Sequence, residues 1–224
     1  MRKYKYEMHS HTSEISRCGR ISAAGLVQVY KEYGYDGVFI SDHFLNGNTT
    51  VPEALSWKER VGLFCVGYRK ALEEGERIGI DVFFAWEYSY KGTDLLTYGL
   101  DENWLLKHPE IVEISVNEYC EFVRSEGGFV VHAHPFREAE YIDMIRLMPR
   151  KVDGVEVDNA CRTDFENKLA EQYANNYGLL KIAGSDNHSG RLPRLCGLEL
   201  DEPIKSVENM ISAIREGKAS LFTI

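Results

Sequence analysis

Short apolar runs alternate with amphipathic stretches along almost the whole chain. The runs Tyr4–Met8, Gly37–Ile40, Val82–Trp86, Leu95–Tyr98, Gly128–Val131, Gly154–Val157 and Leu179–Ile182 are short and bounded by polar loops, and they predict strands. Apolar residues recurring every three or four positions predict helices over Ser22–Tyr33, Lys58–Ile78, Val116–Glu126, Ala139–Met148, Asp164–Tyr177 and Ser206–Glu216. Gly34, Gly79, Gly127 and Gly178 follow four of these stretches, where a residue free to take positive φ closes the last turn. The alternation predicts an α/β fold with a largely parallel sheet. Six or seven such units suit a β/α barrel short of eight full units, with an open doubly wound sheet as the alternative. No Gly-x-Gly-x-x-Gly and no P-loop follows any strand, so the open sheet would lack its usual nucleotide signature.

At 224 residues, 44% hydrophobic and 27% charged, the chain suits one globular domain over residues 1–224 with a sizeable core. No apolar run approaches the roughly 18 residues of a membrane span. No apolar segment follows the charges of Met1-Arg2-Lys3-Tyr4-Lys5-Tyr6-Glu7, so a cytoplasmic location is expected. The net charge of −9 argues against an extended nucleic-acid ligand, because nonspecific binding of that kind runs on phosphate neutralisation by a basic surface. A small anion in a locally basic pocket stays compatible. The five cysteines, Cys18, Cys65, Cys120, Cys161 and Cys196, are odd in number, widely spaced and free of any Cys-x-x-Cys. That pattern argues against a disulfide framework and against a cysteine zinc cluster. Only Cys18 lies close to a motif.

The histidines are placed more tellingly. Of His9, His11, His43, His108, His132, His134 and His188, all but His108 sit at or just past the C-terminal end of a predicted strand, where barrel active sites are built. Residues i and i+2 of a strand share a face, so His9 and His11 can grip one ion. Asp186 and His188 repeat that spacing after the last strand, and His132 and His134 repeat it in between. Asp42-His43 and Glu87 close two further strands, and Asp94 opens another. Nitrogen and carboxylate ligands without thiolates suit Zn, Mn or Fe. A Ser-His-Asp triad is the rival chemistry, but Gly184-Ser185-Asp186 lacks the closing glycine of a nucleophile elbow.

At these residues the chain resembles the polymerase-and-histidinol-phosphatase (PHP) family of metal-dependent phosphoesterases. The matching pieces are His9-Ser10-His11-Thr12, Ser41-Asp42-His43, Glu87, Ala133-His134-Pro135 and Gly184-Ser185-Asp186-Asn187-His188, in the family's order and across nearly the whole chain. The resemblance implies a distorted TIM-like (β/α)7 barrel with its metal site at the C-terminal ends of the strands, and two or three divalent ions (Zn, Mn or Fe). By position, His9, His11, Glu87 and Asp186 would hold the first ion. Glu87 would bridge to a second, held also by His134 and by Asp94, where the family often has a histidine. His43 and His188 would hold a third. The family usually supplies an Asp or His five or six residues after the second histidine of its first motif. Here those positions are Ser16 and Arg17, which leaves the third site short of a ligand.

The implied reaction is hydrolysis of a small phosphomonoester or phosphodiester by metal-activated hydroxide, with Asp186, His43 and His188 as catalytic candidates and a proton for the leaving oxygen from His43 or His188. Arg17, Arg162, Arg191 and Arg194 lie in loops after strands and could meet the phosphate bidentately. His132 is a candidate pocket residue or an orienting partner, Asp42 a candidate orienter, and Glu156 and Asn159 candidate pocket residues. Competing readings are a nuclease or polymerase-associated module, a non-catalytic metal-binding regulator, and a barrel hydrolase of C–N or C–O bonds. The last would call for a carboxylated lysine at a strand end, and no convincing one stands there.

Overall fold

The computed structural model describes residues 2–224. Nine strands form one sheet: β1 (Tyr4–Glu7), β2 (Gly37–Ile40), β3 (Asp81–Tyr90), β4 (Thr93–Tyr98), β5 (Phe129–Ala133), β6 (Gly154–Asn159), β7 (Leu180–Gly184), β8 (Cys196–Leu200) and β9 (Ser220–Thr223). Their order is β7-β6-β5-β4-β3-β2-β1-β8-β9. The sheet curls into a nearly closed barrel, because a parallel bridge between Ser10 and Asn187 joins the rims of β1 and β7. The N–H of His11 donates to the Asn187 carbonyl at 2.9 Å, and that of Asn187 to the His9 carbonyl at 3.3 Å.

One strand departs from the largely parallel sheet expected. β4 runs antiparallel to both β3 and β5. The cause is local: Lys91 (φ 48°) and Gly92 (φ 80°) form a two-residue turn between β3 and β4, and positive φ at both positions suits the twist of a tight hairpin. The reversal puts the start of β4, with Asp94, on the rim where β3 and β5 end.

Seven α-helices accompany the sheet: α1 (Ala23–Glu32), α2 (Trp57–Phe64), α3 (Val66–Ile78), α4 (Glu102–Lys107), α5 (Val116–Ser125), α6 (Asp164–Tyr177) and α7 (Val207–Arg215). Capping boxes start three of them, at Ser56 with Glu59, Ser115 with Glu118 and Thr163 with Glu166. The barrel interior is filled by Tyr6, Met8, Phe39, Leu96, Tyr98 and Phe129, and α7 packs Met210, Ile211 and Ile214 against them. Ile211 lies against Gly99, just past β4, so α7 covers the end of the barrel away from the His and carboxylate residues.

Two expected helices come out differently. The stretch Lys58–Ile78 breaks at Cys65 into α2 and α3. The expected helix Ala139–Met148 is irregular backbone instead. Tyr141, Met144, Ile145 and Leu147 are exposed there, and a short helix without a buried stripe has little to hold it. Strands β8 and β9 and helix α4 are not among the elements that the sequence pattern predicts. Among the described residues no helix is long and apolar enough to cross a membrane.

Candidate metal centre

The barrel rim gathers His9, His11, His43, Glu87, His134, Asp186 and His188 around one point. Glu87 and Asp186 are the hubs. Glu87 Oε1 lies 3.3 Å from His9 Nε2 and 3.2 Å from His134 Nε2, and its Oε2 lies 2.6 Å from His43 Nδ1. Asp186 Oδ1 lies 3.3 Å from His11 Nε2, 3.5 Å from His9 Nε2 and 3.4 Å from His188 Nδ1. Three triplets have donor atoms close enough to share an ion: His9, Glu87 and His134; His9, His11 and Asp186; His11, His43 and His188.

The pairing of His9 with His11 follows the i, i+2 spacing of an extended chain, whereas Asp186 and His188 converge just past β7 across a left-handed residue. Ser10 and Asn187, the middle residues, carry the backbone bridge that closes the barrel. His134 reaches the cluster differently. It lies just past β5 with φ 24°, and Asp186 past β7 with φ 51°. Left-handed backbone at a residue other than glycine costs roughly 1–3 kcal/mol and is kept where surrounding structure enforces it. The twist also breaks the i, i+2 rule on β5: His132 stays on the strand, packs edge-on against Tyr173 of α6, and does not line the cavity. Burial and the neighbouring His134 push its pKa down to about 3.

Behind the ligand-type residues stands a layer of fixed partners. Glu156 receives His9 Nδ1 at 2.9 Å on one oxygen, and the His134 N–H at 3.0 Å and Asn159 Nδ2 at 2.8 Å on the other. Ser16 Oγ lies 3.1 Å from His11 Nδ1 and donates to Asp42 Oδ1 at 2.7 Å. Asp42 thus orients His11 through Ser16, and it also receives the Thr12 N–H at 2.6 Å and hydroxyl at 2.8 Å. Such partners fix which ring nitrogen faces an ion. Glu7, which the sequence did not single out, lies beneath. It accepts the N–H groups of Ser185 at 2.7 Å and His9 at 2.8 Å, and burial pushes its carboxyl up to about 7.

The electrostatics suit cations. Burial opposes charge on Glu87 and Asp186, but His43 and His9 around Glu87, and His9 and His11 around Asp186, outweigh it and hold both carboxyls well below the usual range. Burial also opposes protonation of His9, yet Glu156, Asp186 and Glu87 raise its pKa well above the ordinary value. His11, buried and facing His188 and His43, is pushed well below it. The donor set fits a divalent ion on a further ground. His43 Nδ1 and Glu87 Oε2 are buried without an aligned hydrogen-bond partner, although they lie 2.6 Å apart. Buried polar atoms seldom go unpaired, and a carboxylate oxygen left without a donor among imidazoles keeps its lone pairs free for an ion.

A cavity of about 570 Å³ opens over the cluster, lined among others by Cys18, Glu87, Asp94, Arg137, Arg162 and His188. Of the four expected arginines, Arg162 alone lines it. Arg17 donates instead to the Thr49 carbonyl, Arg191 pairs with Glu32, and Arg194 binds Asp164 at 2.9 Å and the Asn159 carbonyl at 2.8 Å. Arg137, three residues past His134, takes their place, with Nη1 3.3 Å from Asp94 Oδ2. It has the same signal as the others, a post-strand loop, and was overlooked in that pattern. Asp94 is therefore on the rim but joined to Arg137, outside the three triplets. Cys18 also enters the cavity: its Sγ lies 3.2 Å from His43 Nε2. Burial opposes its ionisation, but hydrogen bonds with His188 and His43 lower the thiol to about 6.

Residues 164–219, from α6 through Asp186 and His188 to the end of α7, match the PHP-associated family. No curated protein matches the chain in sequence. Several solved structures share its fold. A two-domain Bacteroides vulgatus protein described as containing a predicted PHP-like metal-dependent phosphoesterase superposes with a TM-score of 0.71 at 16% identity, over 99% of this chain and 65% of its own. The chain thus spans about 65% of that protein's length. PsfC from Pseudomonas syringae gives 0.64 at 16% identity, over 100% of this chain and 92% of its own. An amidohydrolase from Chromobacterium violaceum, with bound sulfate and no metal, gives 0.59 at 14% identity, over 93% and 96%. These likenesses carry the fold, and the His, Glu and Asp clusters suggest divalent-metal binding. The PHP-associated match is confined to residues 164–219, and the solved structures carry the nearly closed barrel fold alone.

Proposed function

We propose that the chain is a metal-dependent phosphoesterase acting on a small phosphorylated substrate in the cavity above Glu87 and Asp186. The observation that carries this reading is the convergence of five imidazoles on two buried carboxylates beneath a cavity lined by two guanidinium groups, Arg137 and Arg162. His9, His11, Glu87 and Asp186 would hold one ion, and Glu87 with His134 a second. Ions bound there would polarise a phosphoryl oxygen and acidify water. The protein's own groups do the rest. Glu156 fixes the ring of His9, and Asp42 through Ser16 fixes that of His11. Arg137, steadied by Asp94, and Arg162 present forked donors suited to phosphate oxygens. Asp94 acts here as the holder of Arg137. His43 and His188 stand at the open edge of the cluster, where an imidazole can hold a cation or hand a proton to a leaving oxygen, but not both.

The cavity volume falls in the range of small-molecule sites, which favours a small ester over a polymer. No lysine lines the cavity, so the carboxylated-lysine route to C–N hydrolysis has no candidate in it. The test is metal analysis of the purified protein followed by a panel of p-nitrophenyl phosphate, its bis ester, histidinol phosphate and nucleotides. Turnover that depends on bound divalent metal is expected. Activity surviving Asp186→Ala combined with His9→Ala would refute the proposal.

A further inference from the structure

The positions where a third-ion ligand was expected are occupied with other work. Ser16 Oγ is committed to Asp42 and to His11 Nδ1, and Arg17 turns away to the Thr49 carbonyl. The next residue, Cys18, turns inward: its Sγ lies 3.2 Å from His43 Nε2, and it lines the same cavity as His43 and His188. We propose that Cys18, His43 and His188 form a binding site for a thiophilic divalent cation, with Cys18 as a thiolate ligand and zinc preferred over manganese. The proposal rests on the metal-centre reading above and adds to it a ligand type that the motifs did not supply.

Three features of the geometry carry it. First, sulfur and nitrogen ligands on one tetrahedral zinc ion, at about 2.3 and 2.0 Å, stand about 3.6 Å apart. Cys18 Sγ and His43 Nε2 are already 3.2 Å apart. Second, the other nitrogen of each ring is turned elsewhere. His188 Nδ1 lies 2.9 Å from the Asp186 carbonyl oxygen, and His43 Nδ1 lies 2.6 Å from Glu87 Oε2. A ring held at one nitrogen by a carbonyl or carboxylate is the usual arrangement for a histidine that ligates through the other. Third, His43 is 9% exposed, and the His11, His43 and His188 donors already form a triplet close enough to share an ion. All of these residues except His11 line the cavity, so an ion held there keeps one position open to a substrate.

A thiolate changes which ion is chosen. Sulfur donors favour zinc, iron and cobalt, whereas oxygen-rich sets favour manganese and magnesium. The chain would then carry one sulfur-bearing site beside a nitrogen- and oxygen-ligated pair. It also follows that His43 and His188 serve as ligands, so that protonation of the leaving oxygen falls to water in the cavity.

Cobalt(II) reads this directly. The full chain is stripped with chelator and titrated with Co²⁺ while visible d–d bands and the near-ultraviolet thiolate-to-cobalt charge-transfer band are recorded. The expected result is a charge-transfer band in the wild type that is lost in Cys18→Ser together with one equivalent of metal. The band should be retained in Cys161→Ser, whose Sγ faces the Asp186 carbonyl at 3.5 Å. Cys18→Asp should keep the equivalent without the band. Visible cobalt bands with no charge-transfer band in the wild type, or a band that persists in Cys18→Ser, would overturn the thiolate site and leave the metal centre standing. Absence of all cobalt bands would overturn the metal centre itself.

Discussion

Two glycines in neighbouring helices offer a test of how the metal centre is propped. Gly67, near the start of α3, faces inward. A methyl group there would meet Thr12 Oγ1 at 2.5 Å, Asp42 Oδ2 at 2.8 Å and Ile15 Cγ1 at 3.0 Å. Thr12 and Asp42 are bonded to each other, Asp42 to Ser16, and Ser16 to His11. The backbone of α3 is thus two contacts from the hydrogen bond that sets a ligand-type ring. Gly62 in α2 has nothing within 4 Å of the same position. On propensity alone, each Gly→Ala change in a helix gains about 1 kcal/mol. Gly62→Ala should realise most of that, raising Tm by roughly 2–4 °C for a chain of this size. Gly67→Ala carries the same gain but must displace Thr12 or Asp42. Overpacking costs about 1–3 kcal/mol, and weakening hydrogen bonds to a buried carboxylate adds about 1.5–3 kcal/mol. The net expectation is a loss of about 1.5–5 kcal/mol and a Tm lower by several degrees or more, with reduced metal content as His11 loses its fixed partner. Thermal and urea unfolding of both variants, with elemental analysis, decide it. If Gly67→Ala matches Gly62→Ala in stability and keeps its full metal load, the propping argument is wrong.

Glu156→Gln should keep the fold but weaken metal binding about 10–100-fold, since it alters the group that fixes His9 and the His134 N–H; chelator competition measures this, and unchanged affinity would remove Glu156 from the centre. Arg137→Ala should raise KM for a phosphoester far more than it lowers metal content, and a variant with unaltered KM would strip Arg137 of its phosphate role. Glu7 sets a pH dependence: its carboxyl is raised from 4.5 to about 7 in the fold, so the native state holds a proton that the unfolded chain releases. Stability from this group is therefore present below pH 4.5 and falls as pH rises through 7, by about 3 kcal/mol in all. Urea unfolding at pH 5 and pH 8 should show that loss in the wild type and a flatter profile in Glu7→Gln; equal slopes would contradict it. Because His9 and His43 are raised well above the ordinary histidine value, metal binding should release protons and weaken as pH falls. Calorimetry in buffers of different ionisation enthalpy reads that release.

How far the site was legible follows from what backbone alternation can and cannot carry. His9-Ser10-His11 could be read because its middle residue holds the β1–β7 bridge, which sets the outer residues to one side; Asp186-Asn187-His188 reaches the same rim through the other half of that bridge although Asp186 is left-handed. The same logic misplaced His132, because the chain turns left-handed at His134, and nothing in Val131-His132-Ala133-His134-Pro135 announces a change of φ. Glu7 stayed out of view, and Glu156 was legible as a pocket residue but not as the holder of His9, for a related reason: each acts from below the rim, and a lone strand carboxylate shows no periodicity of its own. The arginines show the limit of a loop-position signal. The four candidates and Arg137 all follow strands, and only tertiary pairing, Arg17 with the Thr49 carbonyl, Arg191 with Glu32 and Arg194 with Asp164, separates those three from Arg137 and Arg162.

Cys18 carries that argument furthest. The motif-based expectation placed a ligand at residue 16 or 17 because it counted residues from His11. The Thr12–Gly19 loop is set by bonds rather than by count: Ser16 N–H to the Thr12 carbonyl at 3.0 Å, Arg17 N–H to the Asn48 carbonyl at 2.9 Å, and Gly19 N–H to the Ser16 carbonyl at 2.9 Å. Those bonds fold the loop so that residue 18 takes the inward place. A methyl on Gly19 would meet the Thr12 carbonyl carbon at 2.7 Å and the Ser13 nitrogen at 2.8 Å, so the fold of the loop depends on glycine at that position. Gly19→Ala should then move Cys18 off His43 without touching either side chain, and so weaken the thiolate-to-cobalt band while the visible cobalt bands of the His9, His11, Glu87 and Asp186 donors persist. A full-strength band in Gly19→Ala would show that the loop bonds do not set the position of Cys18.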